Sequence, residues 1–448
     1  MKYVINQVAE EIEMDRQTIK KKEHGQAIIL IALAMVVLLG FTALAIDGGM
    51  LYSDRRHAQN AADAAALSGA LQKANNQSND VILNAIYASA SGNGYSGSQV
   101  SGAVSGPFQD PISGKYYLVT AEITATTKAN FAQFVYKGPL QNHVKAVARV
   151  FVSQPAMPGY AIVAMGDCTS EGGHLAMING GGNSGSVETY QGGIFLNAPE
   201  NEANRCSIDP PSATYAPGII AHDGAHIASV GSVDYAGQPK VLPNPIDINL
   251  NMNERISDPL ADLPEPQCTH KGSVSGGVFS PGTYGRTGEP DIAPGTYQPG
   301  IYCIYGDVHI SGSGVIQGDG VVFYFVNGGL NYTGNAGMTI SAPNASNCLG
   351  TEGDPTASCT YKGIAVFMAR SNTSTFEVRG NGGDAVHGLI YGLNATVQAR
   401  GGGVTPDETT VVGQIIAKRV YGDGNGSFDV TYNENSTFIK KPSISLWK

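Results

Sequence analysis

The chain has 448 residues and a formal net charge of −10, from 27 Lys and Arg against 37 Asp and Glu. No basic stripe lies beyond a short N-terminal leader, so nucleic-acid binding lacks its electrostatic footprint and no nucleic-acid partner is expected. Glycines number 58, too few and too irregular for collagen, and a regular Val/Ile/Tyr alternation between them argues against disorder.

The length allows two or three domains. Residues 1–25 read as a cytoplasmic leader. From Ala27 to Ile46 no residue is charged, and about 20 apolar residues at 1.5 Å rise cross a hydrocarbon core of roughly 30 Å. Lys20, Lys21 and Lys22 precede this run, while Asp47 follows it and the next cations are Arg55 and Arg56. That asymmetry favours a single-pass anchor, N-inside, with everything after Asp47 outside the cytoplasm. The alternative is a cleaved signal peptide and a secreted protein, because Ala43-Leu44-Ala45 has the small-residue form of a cleavage site. The run exceeds the usual 7–15 residues of such a signal, which favours the anchor.

A helical pattern continues from Leu51 to about Ala74. Ala58, Ala62, Ala66 and Ala70 recur every fourth residue, with Ala61, Ala65 and Gly69 as an adjacent row. Small residues at this spacing let helices approach neighbours closely. A second helix is expected over Asp80 to Ala90, then a strand from Tyr116 to Thr127, an aromatic segment Phe131 to Tyr136, and a strand from Val144 to Val152. A boundary falls near Gln154 to Gly159, giving regions 26–155 and 156–448.

The residues His24-Gly25-Gln26-Ala27, the apolar run, Ala45-Ile46-Asp47-Gly48-Gly49-Met50-Leu51-Tyr52 and Gln59 to Ala70 together resemble the N-terminal module of TadG-like proteins. These belong to the Flp (tight adherence) pilus-assembly system of bacteria. The resemblance covers roughly residues 22–153. It implies a cell-envelope protein anchored in the inner membrane, with other pilus-assembly or envelope proteins as partners. Two departures stand out. Pilin-like relatives carry Glu five residues after a processing glycine, whereas counting from Gly25 this chain has Leu30, which argues against processing there. Many relatives also carry a von Willebrand A domain with a D-x-S-x-S metal loop. The nearest string here, Asp354 to Ser358, lacks a preceding hydrophobic strand and reads as a loop between Cys348 and Cys359.

The second region reads as all-β. Apolar runs at 192–196, 321–326, 363–368, 388–391 and 413–417 alternate with Gly/Asn/Asp turns, and the last three begin 25 residues apart. Pro281-Gly282-Thr283-Tyr284 recurs as Pro294-Gly295-Thr296-Tyr297 and again as Pro299-Gly300-Ile301-Tyr302. The period favours a right-handed parallel β-helix or solenoid over a β-sandwich. The fold class is therefore an α+β module with one transmembrane helix, followed by an all-β domain. All six cysteines (Cys168, Cys206, Cys268, Cys303, Cys348, Cys359) lie in this exterior region and read as disulfides. Pairing of sequence neighbours suits a chain laid down in successive turns.

Chemistry is sparse. His222 and His226 have the i, i+4 spacing of metal ligands on a helix, but Gly224 opposes a helix. Asp423, Asn425, Ser427 and Glu434 mimic a calcium loop without its central glycine. Gly380 to Asp384 is a single Gly/Asp string, whereas calcium-binding repeats work by stacking. Carboxylates are scattered, so no catalysis, cofactor or metal is expected. The role expected is structural or adhesive, with the lipid bilayer and surface polysaccharide as further partners. The alternative is a carbohydrate-active β-helix enzyme or a saccharide-binding protein.

Overall fold

A computed structural model describes residues 26–134, 136–166, 180–181, 186–197, 219–223, 225–230, 241–242, 248–249, 255–380, 385–401, 411–424 and 427–447. The chain is a long apolar helix followed by a largely β remainder. It divides into two compact units. The first comprises residues 1–108, 116–152 and 442–448, and the second 109–115 and 153–441. The second unit is thus inserted in the first, and the chain returns to the first at Ser443–Leu446.

The first unit is built on helix α1, Gln26–Ala74, which is continuous from the apolar run through the alanine-rich segment. No proline interrupts it, and alanine carries the lowest helix cost. Helix α2, Asn79–Gly92, packs Ile82, Ile86 and Ala90 beneath it. Strands β1 (Val100–Asp110), β2 (Gly114–Thr127) and β3 (Leu140–Phe151) are joined by Ser443–Leu446 in a sheet of that order. β2 and β3 pair antiparallel, with Val119 opposite Ala148, Ala121 opposite Ala146 and Ile123 opposite Val144. Those alternate residues are the buried ones, as a period of two requires. Ala58, Ala62, Ala66 and Ala70 are fully buried in the same core, with Ala61 and Ala65. Small side chains on both helix and sheet bring the two layers close. Gly69 is part of that fit, since a methyl there would sit 2.7 Å from Ile86 and 2.9 Å from Val119.

The second unit is dominated by one large, almost entirely parallel sheet, beside a short antiparallel pair of Gln154–Pro155 with Ile439–Lys440. Its strands stack so that single residues form columns. Tyr302 pairs with Phe323, Phe323 with Val366, Val366 with Ile390, and Ile390 with Ile415. Ile415 then pairs with Ile162, Ile162 with Ile194, and Ile194 with Ile227. The column therefore begins late in the chain and continues into its early strands. The repeat region starts and finishes side by side, in the middle of its own stack. Every member of this column lies in one core cluster. The next residues along each strand, Cys303, Tyr324, Phe367, Tyr391, Ile416, Val163, Phe195 and Ala228, fall in a second cluster on the opposite face. Burial on both faces explains why these strands read as continuous apolar runs rather than alternating ones.

The Pro-Gly-x-Tyr repeats gain a specific meaning here. The hydroxyls of Tyr284, Tyr297 and Tyr302 donate to the carbonyls of Ser280, Ala293 and Gln298, each the residue just before the motif's proline. The prolines leave those carbonyls without a following N–H to organise the turn, and the tyrosine closes it from inside. All three rings are buried and pack on Phe279 and Phe323. These tyrosines serve the core and present no ring to a saccharide.

The glycines 25 residues apart also have a cause. Gly388 and Gly413 are paired neighbours in adjacent strands, with φ of +142° and +149°. A methyl on Gly413 would lie 2.3 Å from the Gly388 carbonyl oxygen. Only glycine combines that backbone angle with that approach.

Candidate functional site

The first unit carries its most specific polar geometry where the apolar run ends. Asp47 is buried, although it sits on a helix whose preceding residues are exposed. Its Oδ1 accepts the Asn130 N–H at 3.0 Å, and its Oδ2 accepts the Phe131 N–H at 2.9 Å and the Ala132 N–H. The carboxylate thereby caps the short 3₁₀ turn Ala132–Phe134. Nearby, the Asn142 side-chain amide donates to the Leu51 carbonyl at 3.0 Å. The Ala132, Asn130 and Phe131 amides outweigh burial and hold the Asp47 carboxyl below the usual carboxylate range.

The sign of the pH dependence follows. A carboxyl depressed in the folded state lends stability that is fully present above its unfolded value of about 3.9 and is lost as pH falls through the folded value. Hydrogen-exchange protection of amides 130–132 should therefore hold at neutral pH and fall once pH drops below that range. In Asp47→Asn these amides should be weakly protected at every pH. Equal protection in the two proteins would show that the carboxylate does not hold the turn.

In the second unit, the segment from Ile256 to Cys268 runs as a strap across the stacked strands. It follows no regular strand, so its polar groups need specific partners. Asn197 exchanges two hydrogen bonds with the Ile256 backbone. Asp258 accepts Arg370 Nε at 2.9 Å and the Tyr391 hydroxyl at 2.8 Å. Arg370 also donates to the carbonyls of Leu260 and Leu263. Glu265 accepts the Tyr324 hydroxyl and the Arg370 amide. The strap ends at the Cys268–Cys303 disulfide. Burial pushes the Tyr391 and Tyr324 hydroxyls up, so both remain protonated donors. Leu260 and Leu263 cover the second core cluster beneath.

The second described disulfide, Cys348–Cys359, closes the loop that holds the D-x-S-x-S string. Asp354 Oδ1 accepts from the Thr356 amide and hydroxyl, and the buried Ser358 hydroxyl accepts the Leu349 N–H. The hydroxyls are spent on folding the loop. Cys168 and Cys206 lie outside the described residues.

The remaining motifs divide similarly. His222 is no helical ligand: its Nε2–H donates to the Glu188 carboxylate at 2.8 Å, and its ring stacks on Tyr190 with centroids 4.4 Å apart. Asp423 and Glu434 fall in a strand and a 3₁₀ turn, while Asn425 lies outside the described residues, as do residues 381–384. Among the described residues no group of three His, Cys, Asp or Glu side chains is placed to hold a metal. The sequence reading missed the strap, whose partners are remote in the chain, and missed Asp47 as a cap, although its place as the first charge after the run was visible.

One described helix, α1, is long and apolar enough to cross a membrane. Its apolar run, the capping Asp47 and the buried alanine rows lie within one segment that matches a known family. Residues 25–73 match the family model described as "Putative Flp pilus-assembly TadE/G-like". The TadE/G-like match covers this segment and leaves the second unit unmatched. No curated protein matches the chain. Among solved structures, the competence-associated pilin ComZ from Thermus thermophilus aligns over 78% of this chain and 88% of its own, at 12% identity and a TM-score of 0.26. A likeness at that score carries no structural argument.

Proposed function

We propose that this chain is a membrane-anchored cell-envelope protein of the Flp pilus-assembly type. Its second unit forms a structural or adhesive ectodomain with the architecture of a parallel β-solenoid. The TadE/G-like match over the apolar run and alanine rows is the observation that carries the reading. The parallel columns support the solenoid, since strands pair with others roughly 20–25 residues on in much of the stack. The apolar run supports a single pass through the inner membrane, with the chain after Asp47, the second unit included, outside the cytoplasm. Other envelope proteins are the natural partners of such an anchor. The described polar clusters are consumed by caps, turns and the strap, which fits a non-enzymatic role.

Cell fractionation tests this. The intact chain should stay in the membrane pellet after alkaline carbonate washing. Protease added to spheroplasts should digest the second unit. N-terminal sequencing of the extracted protein should give the full leader. A start at Ile46 with release into the medium would replace the anchor by a secreted protein.

A further inference from the structure

The turn that Asp47 caps is unusual in what it exposes. Phe131 is 44% exposed, Phe134 81% and Tyr136 53%. Phe131, Phe134 and Tyr136 lie in the loop between β2 and β3, and among the described residues no core cluster takes them up. Two exposed lysines, Lys128 and Lys137, flank the aromatics. The position of this group along α1 is fixed by the Asp47 bonds, and by the Asn130 side chain resting on Met50.

Asp47 is the residue at which the apolar run stops. A helix that spends Ala27 to Ile46 in hydrocarbon brings Asp47 to its edge, about 30 Å from the other side. Aromatic side chains favour that level, and lysines reach headgroup phosphates from it. We propose that the Phe131–Tyr136 turn is an interfacial membrane anchor, inserting Phe134 and Tyr136 among the lipid headgroups beside the transmembrane helix. Asp47 then has two tasks. It holds the turn at this depth, and the three amides it accepts satisfy a carboxylate that would otherwise be costly so close to hydrocarbon. Two contacts with the bilayer, a span and a turn, restrict tilting of the first unit where one helix alone would not.

This inference rests on the anchored reading above, and the test separates the two. The full chain carries a single tryptophan, Trp447. In a Trp447→Phe background, Phe134→Trp and Tyr136→Trp place reporters on exposed positions, and Leu38→Trp places one within the span. Each protein is reconstituted into vesicles of phosphatidylethanolamine and phosphatidylglycerol carrying bromine at shallow or deep acyl positions. Expected are a blue shift and loss of emission for both turn reporters, stronger with shallow bromine, and loss for Leu38→Trp with deep bromine. Quenching at Leu38→Trp with unquenched, water-like emission from both turn reporters would overturn the interfacial turn and leave the anchor. No quenching at Leu38→Trp would overturn the anchor, and the turn proposal with it.

Discussion

Asp258→Ala should lower the unfolding free energy of the second unit by about 2–3 kcal/mol, between the cost of breaking an exposed ion pair and that of breaking a fully buried one. Its side chain is 12% exposed and that of Arg370 is 25% exposed, so water cannot readily replace the lost bond. The substitution strips Arg370 Nε and the Tyr391 hydroxyl of the same acceptor. An Asp258→Ala/Arg370→Met double variant should recover part of the loss, because no part-buried guanidinium then lacks its closest carboxylate. Denaturant unfolding of the oxidised protein measures both. A single-variant loss below about 1 kcal/mol, the range of exposed pairs, would show that the strap is not held by this network. The disulfide acts on the same segment. Cys268 and Cys303 are 35 residues apart, and loop-entropy arguments assign such a crosslink about 3–4 kcal/mol. Cys268→Ser and Asp258→Ala should therefore be non-additive, since whichever comes first already loosens the strap.

Gly413→Ala is the second large effect. At φ +149° a side chain costs about 1–3 kcal/mol from backbone strain alone. The added carbon would also meet backbone, at 2.3 Å from the Gly388 oxygen and 2.8 Å from the Ser436 oxygen. Backbone cannot swing away as a flexible side chain would, so the strand must shift. Gly413 lies in the strand that joins the late part of the repeat region to Ile162 and its neighbours. The damage should appear as an early unfolding step of the second unit. Gly159→Ala, which has φ +83° but nothing within 4 Å of the added carbon, is the comparison that separates strain from collision. Equal losses in the two would remove the collision from the explanation.

The helix of the first unit was legible because two signals coincide there. An uncharged run and a four-residue alanine spacing are strong over long stretches, and both depend on local sequence alone. Strands at Gly193–Leu196, Val321–Phe325 and Ile364–Met368 were legible for a related reason, since burial on both faces writes unbroken apolar runs. Strand β1 was not. Its Ser-Gly-Ala-Val-Ser-Gly-Pro sequence has weak strand preference, and its partner β2 supplies the pairing instead. Ser443–Leu446 likewise carries too few residues to signal its pairing with β3. The strap stayed hidden because Asp258, Glu265 and Arg370 look like ordinary surface charges until the fold brings them together. The pairing of Ile415 with Ile162 had no local signal at all.

The late arrival of Ser443–Leu446 has a consequence for biosynthesis. Ser443 to Leu446 pair with Phe151 to Ala148, and Trp447 stacks on Tyr116 while the Arg149 guanidinium lies over its indole. A ribosome delivers β3 long before it delivers this partner, with the whole insertion in between. Until then the first unit has a three-stranded sheet with an open edge at β3, the kind of edge that recruits foreign strands. The sheet of the first unit is therefore completed by a strand that is synthesised only after the inserted unit.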